Sequence, residues 1–158
     1  MKKWLTYCFL LVFAVYWASN LFLWYPWSYS PTLGMILMLT VSPLAWAYTV
    51  YLSLITYPEE NIYKGALSNA IIFLITAIVL DYVFFGIIRN ALEELYHLTT
   101  LYGYGFLLVL PFLLSWILKR KILSKKREVL RKHQIRALVV GLLCLLILVL
   151  IITLDLNI

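Results

Sequence analysis

Lys119-Arg120-Lys121-Ile122-Leu123-Ser124-Lys125-Lys126-Arg127-Glu128-Val129-Leu130-Arg131-Lys132-His133-Gln134-Ile135-Arg136 decides how this chain is read. Nine of its residues are basic: Lys119, Arg120, Lys121, Lys125, Lys126, Arg127, Arg131, Lys132 and Arg136. Long apolar stretches lie on both sides of it. A short Lys/Arg-rich connection between apolar spans stays on the cytoplasmic side of a membrane. The run is therefore expected to be a cytoplasmic loop, 119–136, that orients everything around it.

The composition agrees. Of 158 residues 65% are hydrophobic and 13% charged, against roughly 45–50% and about 25% in a soluble domain. The mean hydropathy is +0.95. In lipid every backbone group must be paired within a helix or a closed barrel. The apolar stretches lack the alternation of barrel strands, which leaves helices. A span takes about 20 apolar residues. Five stretches qualify, at about 4–24, 32–57, 62–88, 102–118 and 137–154. The expected fold is a single all-α domain, five transmembrane helices in an up-down bundle. The short connections favour antiparallel neighbours.

Charge orients the bundle. With the N-terminus cytoplasmic, Lys2, Lys3, Lys64 and the basic loop share one side, and Arg89 alone among the basic residues lies outside. Glu93, Glu94 and Asp155 then fall outside, as does the C-terminus at Asn157-Ile158. The apolar run after Met1-Lys2-Lys3 continues to Trp24, long enough for an uncleaved first helix. The net charge of +6 is gathered on one side, so it points to anionic lipid headgroups at the nine basic residues and not to nucleic acid. With Ile122, Leu123, Val129, Leu130 and Ile135 among the charges and no Gly or Pro, the loop is expected to form an amphipathic surface helix.

Local signals refine the boundaries. Thr56-Tyr57-Pro58-Glu59 has the form of a capping box opening the third helix. Trp24-Tyr25-Pro26-Trp27-Ser28-Tyr29-Ser30-Pro31 reads as the first outer loop, its aromatics at the interface. Pro43 and Pro111 fall near mid-depth of the second and fourth helices. Each removes an N–H from the carbonyl four residues earlier, that of Leu39 or Leu107. Cys8 and Cys144 sit in apolar spans with no metal or redox spacing, and are expected to behave as small core residues.

The candidate site centres on Asp81, the one acid placed inside the membrane. Insertion of such a group costs on the order of 2.5–3.5 kcal/mol, so it needs a partner, a water cavity or a proton. On a helix it shares a stripe with Ala77, Ala70 and Ala66, small residues that admit a neighbouring helix. Asp81 should therefore face protein. It lies about 6 Å outward of its helix midpoint at about 1.5 Å per residue. Tyr16 and Asn20 on the first helix, Thr40 and Ser42 on the second, Tyr104 on the fourth and the adjacent Tyr82 lie at matching depth. They form the expected ligand-binding set.

Other motifs are weaker. Glu94-Leu95-Tyr96-His97 has the Glu-x-x-His spacing of di-iron bundles, which need two copies and two further glutamates. One copy exists, so no metal or other cofactor is expected. Gly103-Tyr104-Gly105 resembles the Gly-Tyr-Gly of a potassium filter, but Leu101-Tyr102 stand between it and Thr99-Thr100. No nucleophile, base and acid set is visible, so an enzyme is not expected. The leading expectation is a binding or transport component for a small molecule or ion, with an outer-half pocket around Asp81. Next comes a non-catalytic subunit or scaffold that meets a membrane partner or a second copy of itself. A lipid-acting enzyme using Glu93, Glu94 and His97 is the minor alternative.

Overall fold

The computed structural model describes residues 1–154; the expected outer positions of Asp155 and of Asn157-Ile158 lie outside the described residues. The described chain is helical, with no strand. The elements are α1 (Lys2–Tyr29), α2 (Pro31–Leu39), α3 (Val41–Ile55) and α4 (Ile62–Asp81). A π-helical segment (Tyr82–Ile88) and a 3-10 helix (Leu92–Tyr96) follow, then α5 (Leu98–Ile117), α6 (Lys119–Ser124) and α7 (Arg131–Thr153). Five helical units are long and apolar enough to cross a membrane: α1, α2 with α3, α4 with the π segment, α5, and α7.

Specific contacts give the directions of the helices. The Trp4 indole N–H donates to the Ser53 carbonyl at 2.9 Å, setting the start of α1 against the end of α3. The Asn69 amide reaches back to Ser53 Oγ at 2.6 Å, closing the α3–α4 hairpin. The Gln134 amide donates to the Lys3 carbonyl at 3.0 Å, so α7 starts beside the start of α1 and runs with it. At that same end the N–H of Arg127 donates to the Ile55 carbonyl at 2.9 Å, and the Lys126 ammonium reaches the Glu59 carbonyl. The basic stretch, the N-terminus and the α3–α4 turn thus meet at one end.

The small-residue stripe of α4 lies in the core. Ala66, Ala70 and Ala77 are buried with Phe73, and α4 packs on α1, α3 and α5. The α1–α7 contact is close at Gly141, where a Cβ would come within 2.4 Å of Phe13 Cδ1 and 3.2 Å of the Ala14 backbone. Away from these seams the helices present apolar side chains outward, among them Ile75, Val79, Trp116, Leu143 and Leu146.

Several boundaries differ from expectation, for physical reasons. The segment 24–31 is not a loop: α1 continues through Pro26 to Tyr29. The turn is compressed to Ser30, whose hydroxyl accepts from Leu33 N at 3.4 Å with Pro31 opening α2. The capping box at Thr56 does not form. Its hydroxyl donates backward to the Leu52 and Ser53 carbonyls, both at 2.9 Å. Asn61 caps α4 instead, accepting from the N–H groups of Tyr63 and Lys64. The second span is broken at Thr40, three residues before Pro43. Pro111, in contrast, is accommodated inside an unbroken α5. Residues 119–136 do not form one amphipathic helix. Helix α6 ends at Ser124, 125–130 are non-helical, and α7 begins at Arg131, inside the basic run. The hydrogen bonds from Lys126 and Arg127 to the α3–α4 turn hold this irregular stretch down.

Candidate functional site

Asp81 ends α4 and stands at the junction with the π-helical segment. There the register slips: the N–H of Arg89 bonds to the Phe84 carbonyl, five residues back, at 2.9 Å, and that of Ala91 to Phe85 at 2.7 Å. Asn90 takes a left-handed φ of 51°, a conformation asparagine tolerates. Short π segments of this kind mark functional positions more often than chance.

The Asp81 side chain is 9% exposed and its two oxygens are divided between two helices. Tyr16 Oη on α1 donates to Oδ1 at 2.6 Å. Tyr104 Oη on α5 donates to Oδ2 at 2.7 Å. Asp81 makes no ion pair in the described chain, where His97–Glu94, at 3.9 Å, is the salt bridge seen. Two phenols supply dipoles to a carboxylate but no compensating charge.

Beside the carboxylate lies a cleft of about 410 Å³, walled by α1, α2, α3, α4, the π segment and α5. Its surface is mostly apolar and aromatic, with Trp46, Phe85, Phe106 and Leu107 among the lining residues. The polar groups are few: Asp81, Tyr16, Tyr104, Asn20, Ser42 and Ser19, with Thr99, Thr100 and Tyr102 toward the start of α5. Ser19 Oγ is buried without a protein partner. The Asn20 amide donates to the Tyr16 carbonyl at 3.0 Å, bracing the turn that carries the phenol. Leu39 and Pro43 line the cleft where α2 breaks into α3, and Pro43 has no N–H to return to the Leu39 carbonyl.

The structure thus gathers Asp81, Tyr16, Tyr104, Asn20 and Ser42 around one cleft and leaves two expected members out. Tyr82 is 56% exposed and points away from it. One residue on from Asp81 is about 100° around a helix, and that turn carries Tyr82 off the cleft. Thr40 is exposed, and its hydroxyl donates to the Ile36 carbonyl at 2.6 Å. Ser19, Trp46 and Phe85 were not anticipated. Ser19 is one turn along from Tyr16 on α1, and helical spacing alone would have pointed to it.

A second cleft adjoins the first and shares Asn20, Leu23, Met38, Phe85 and Thr99 with it. Arg89, Glu94 and His97 stand on its rim. The Arg89 guanidinium lies over the Phe84 and Phe85 rings, 5.9 and 5.7 Å from their centroids. The Glu-x-x-His pair therefore belongs to a cleft mouth, and no group of three metal-ligating side chains occurs among the described residues. Gly103-Tyr104-Gly105 is α-helical. A filter needs extended backbone with carbonyls turned inward, so the potassium-filter resemblance does not extend to the fold.

A separate polar cluster lies toward the basic end. Ser53 Oγ accepts from the Asn69 amide at 2.6 Å and sits 2.9 Å from Cys8 Sγ, all three side chains fully buried. It joins α1, α3 and α4 and opens on none of the clefts described.

Fold and cleft together define an all-helical bundle with five membrane-length units and one buried, phenol-held carboxylate. No family model, curated protein or solved structure matches the chain.

Proposed function

We propose that this protein is a small integral membrane component that binds or transports a cationic small molecule or ion at the cleft beside Asp81. The observation that carries the reading is the carboxylate: buried, held by Tyr16 and Tyr104, and paired with no cation among the described residues. An ionised carboxylate in an apolar setting is costly until a counter-charge arrives. A cationic ligand supplies it, and the aromatic walls add cation–π attraction. The Ser19 and Ser42 hydroxyls offer further oxygen ligands in the same space.

The membrane setting is supported by five apolar helical units of membrane length and by the many large apolar side chains they expose, since soluble monomers rarely expose wide apolar patches. The end bearing Lys2, Lys3, Lys64 and residues 119–136 is the cytoplasmic end by charge. The cleft then opens in the outer half, beside the adjoining cleft that Arg89, Glu94 and His97 line.

The test is uptake or binding of a lipophilic monocation, such as ethidium, by the purified protein in proteoliposomes. Asp81→Asn keeps an acceptor for one of the two phenols, turns the other oxygen into an N–H donor and removes the charge, and is expected to lower binding at least tenfold in a folded protein. Unchanged binding or flux in that variant would overturn the proposal.

A further inference from the structure

At the basic end, opposite the Asp81 cleft, a groove of about 550 Å³ runs between α1, α3 and α7. Its floor and walls are mostly apolar, with Leu11, Val15, Leu52 and Val140 among them, and Tyr7, Tyr48, Thr49 and Thr56 add a few hydroxyls. It extends along α1 from Tyr7 to Val15, about 12 Å at about 1.5 Å per residue. Its mouth carries Arg127, His133 and Arg136, and no acid lines it. Neither guanidinium is in an ion pair among the described residues. The mouth is held in place: Arg127 N–H is bonded to the Ile55 carbonyl at 2.9 Å, and the His133 ring lies 6.2 Å from that of Tyr7.

An apolar slot with two unpaired cations at its membrane-surface end matches one kind of occupant. A water-soluble anion would leave the slot empty, and a neutral lipid would leave the cations unanswered. We propose that this groove is a site for one anionic phospholipid. An acyl chain occupies the slot between α3 and α7, and the phosphate is taken by Arg127 and Arg136 with His133 beside them. Basic recesses between membrane helices on the cytoplasmic side hold anionic headgroups in this way. The site is narrower than general attraction of the whole basic run. It assigns Arg127 and Arg136 a role that the other basic residues do not share.

The experiment is native mass spectrometry of the full chain released from nanodiscs of mixed phosphatidylglycerol and phosphatidylcholine. The expected result is one retained phosphatidylglycerol per chain, with phosphatidylcholine lost. Arg127→Gln with Arg136→Gln should lower retention at least tenfold. Ala45→Phe, which fills the groove without touching charge, should do the same. Lys2→Gln with Lys64→Gln removes the same charge from the same end outside the groove, and should retain the lipid. Equal retention of phosphatidylcholine, full retention in Ala45→Phe, or an equal loss in the lysine pair would each overturn the proposal. Should the arginine pair fail to fold, Ala45→Phe against the lysine pair still decides it.

Discussion

Tyr16 and Asp81 are 65 residues apart in the chain, and the phenol of one donates to the carboxylate of the other at 2.6 Å inside the bundle. The bond ties α1 to the end of α4 and fixes which way the carboxylate faces. Interhelical hydrogen bonds in membranes contribute about 0.6 kcal/mol on average and up to about 1.7, with charged acceptors at the upper end. A double-mutant cycle of Tyr16→Phe and Asp81→Ala is expected to show coupling of about 1 kcal/mol in reversible unfolding. The same cycle with Tyr82→Phe, whose ring is exposed, should show none. Additive effects for both tyrosines would remove the bond from the account.

The α1–α7 seam makes a prediction of opposite signs at two kinds of glycine. Gly141 faces Phe13 and the Ala14 backbone with no room for a Cβ, whereas Gly103 and Gly105 have nothing within 4 Å. Gly141→Val should cost about 1–3 kcal/mol through overpacking. Gly103→Ala should be neutral or stabilise α5 by up to about 1 kcal/mol. Thermal unfolding in detergent ranks the two; a reversed order would place α7 elsewhere.

The Ser53 cluster predicts a non-additive pair. Ser53→Ala strands the Asn69 amide, whose Oδ1 already has no partner, at about 1–3 kcal/mol. Adding Asn69→Leu removes the stranded group, because deleting both partners costs less than orphaning one. The double variant should therefore melt above Ser53→Ala alone. A double variant that melts lower would mean that the amide contributes packing rather than a hydrogen bond.

Sidedness is open to a direct check in whole cells. With the partly buried Cys144 replaced by Ala, a cysteine introduced at Lys2 or Lys125 should be shielded from an impermeant maleimide, and one at Glu93 should be labelled. Native Cys8, fully buried, should stay unlabelled throughout. Labelling of Lys125 and Glu93 positions from the same side would contradict a helix crossing between them.

Depth was legible in the amino-acid order and direction around each helix was not. A helix rises by a constant amount per residue, so counting from the turns placed Asp81, Tyr16 and Tyr104 at one level. Counting could not rotate the helices. Tyr82 and Thr40 were at the right level and face away. The Ser53–Asn69–Cys8 cluster was missed for the same reason, although Ser53 and Asn69 lie within about two turns of the α3–α4 connection and an asparagine in an apolar run is itself a signal.

By itself the sequence determined what composition and charge dictate: five helical runs of membrane length and one end rich in Lys and Arg. Those follow from backbone pairing and burial, which depend on residue type and order. Tertiary structure decided the end of α6 at Ser124 and which polar side chains share a cleft. Both depend on contacts between residues far apart in the chain. Local propensity cannot encode a hydrogen bond between Lys126 and the Glu59 carbonyl, or the choice of two phenols as partners for one carboxylate.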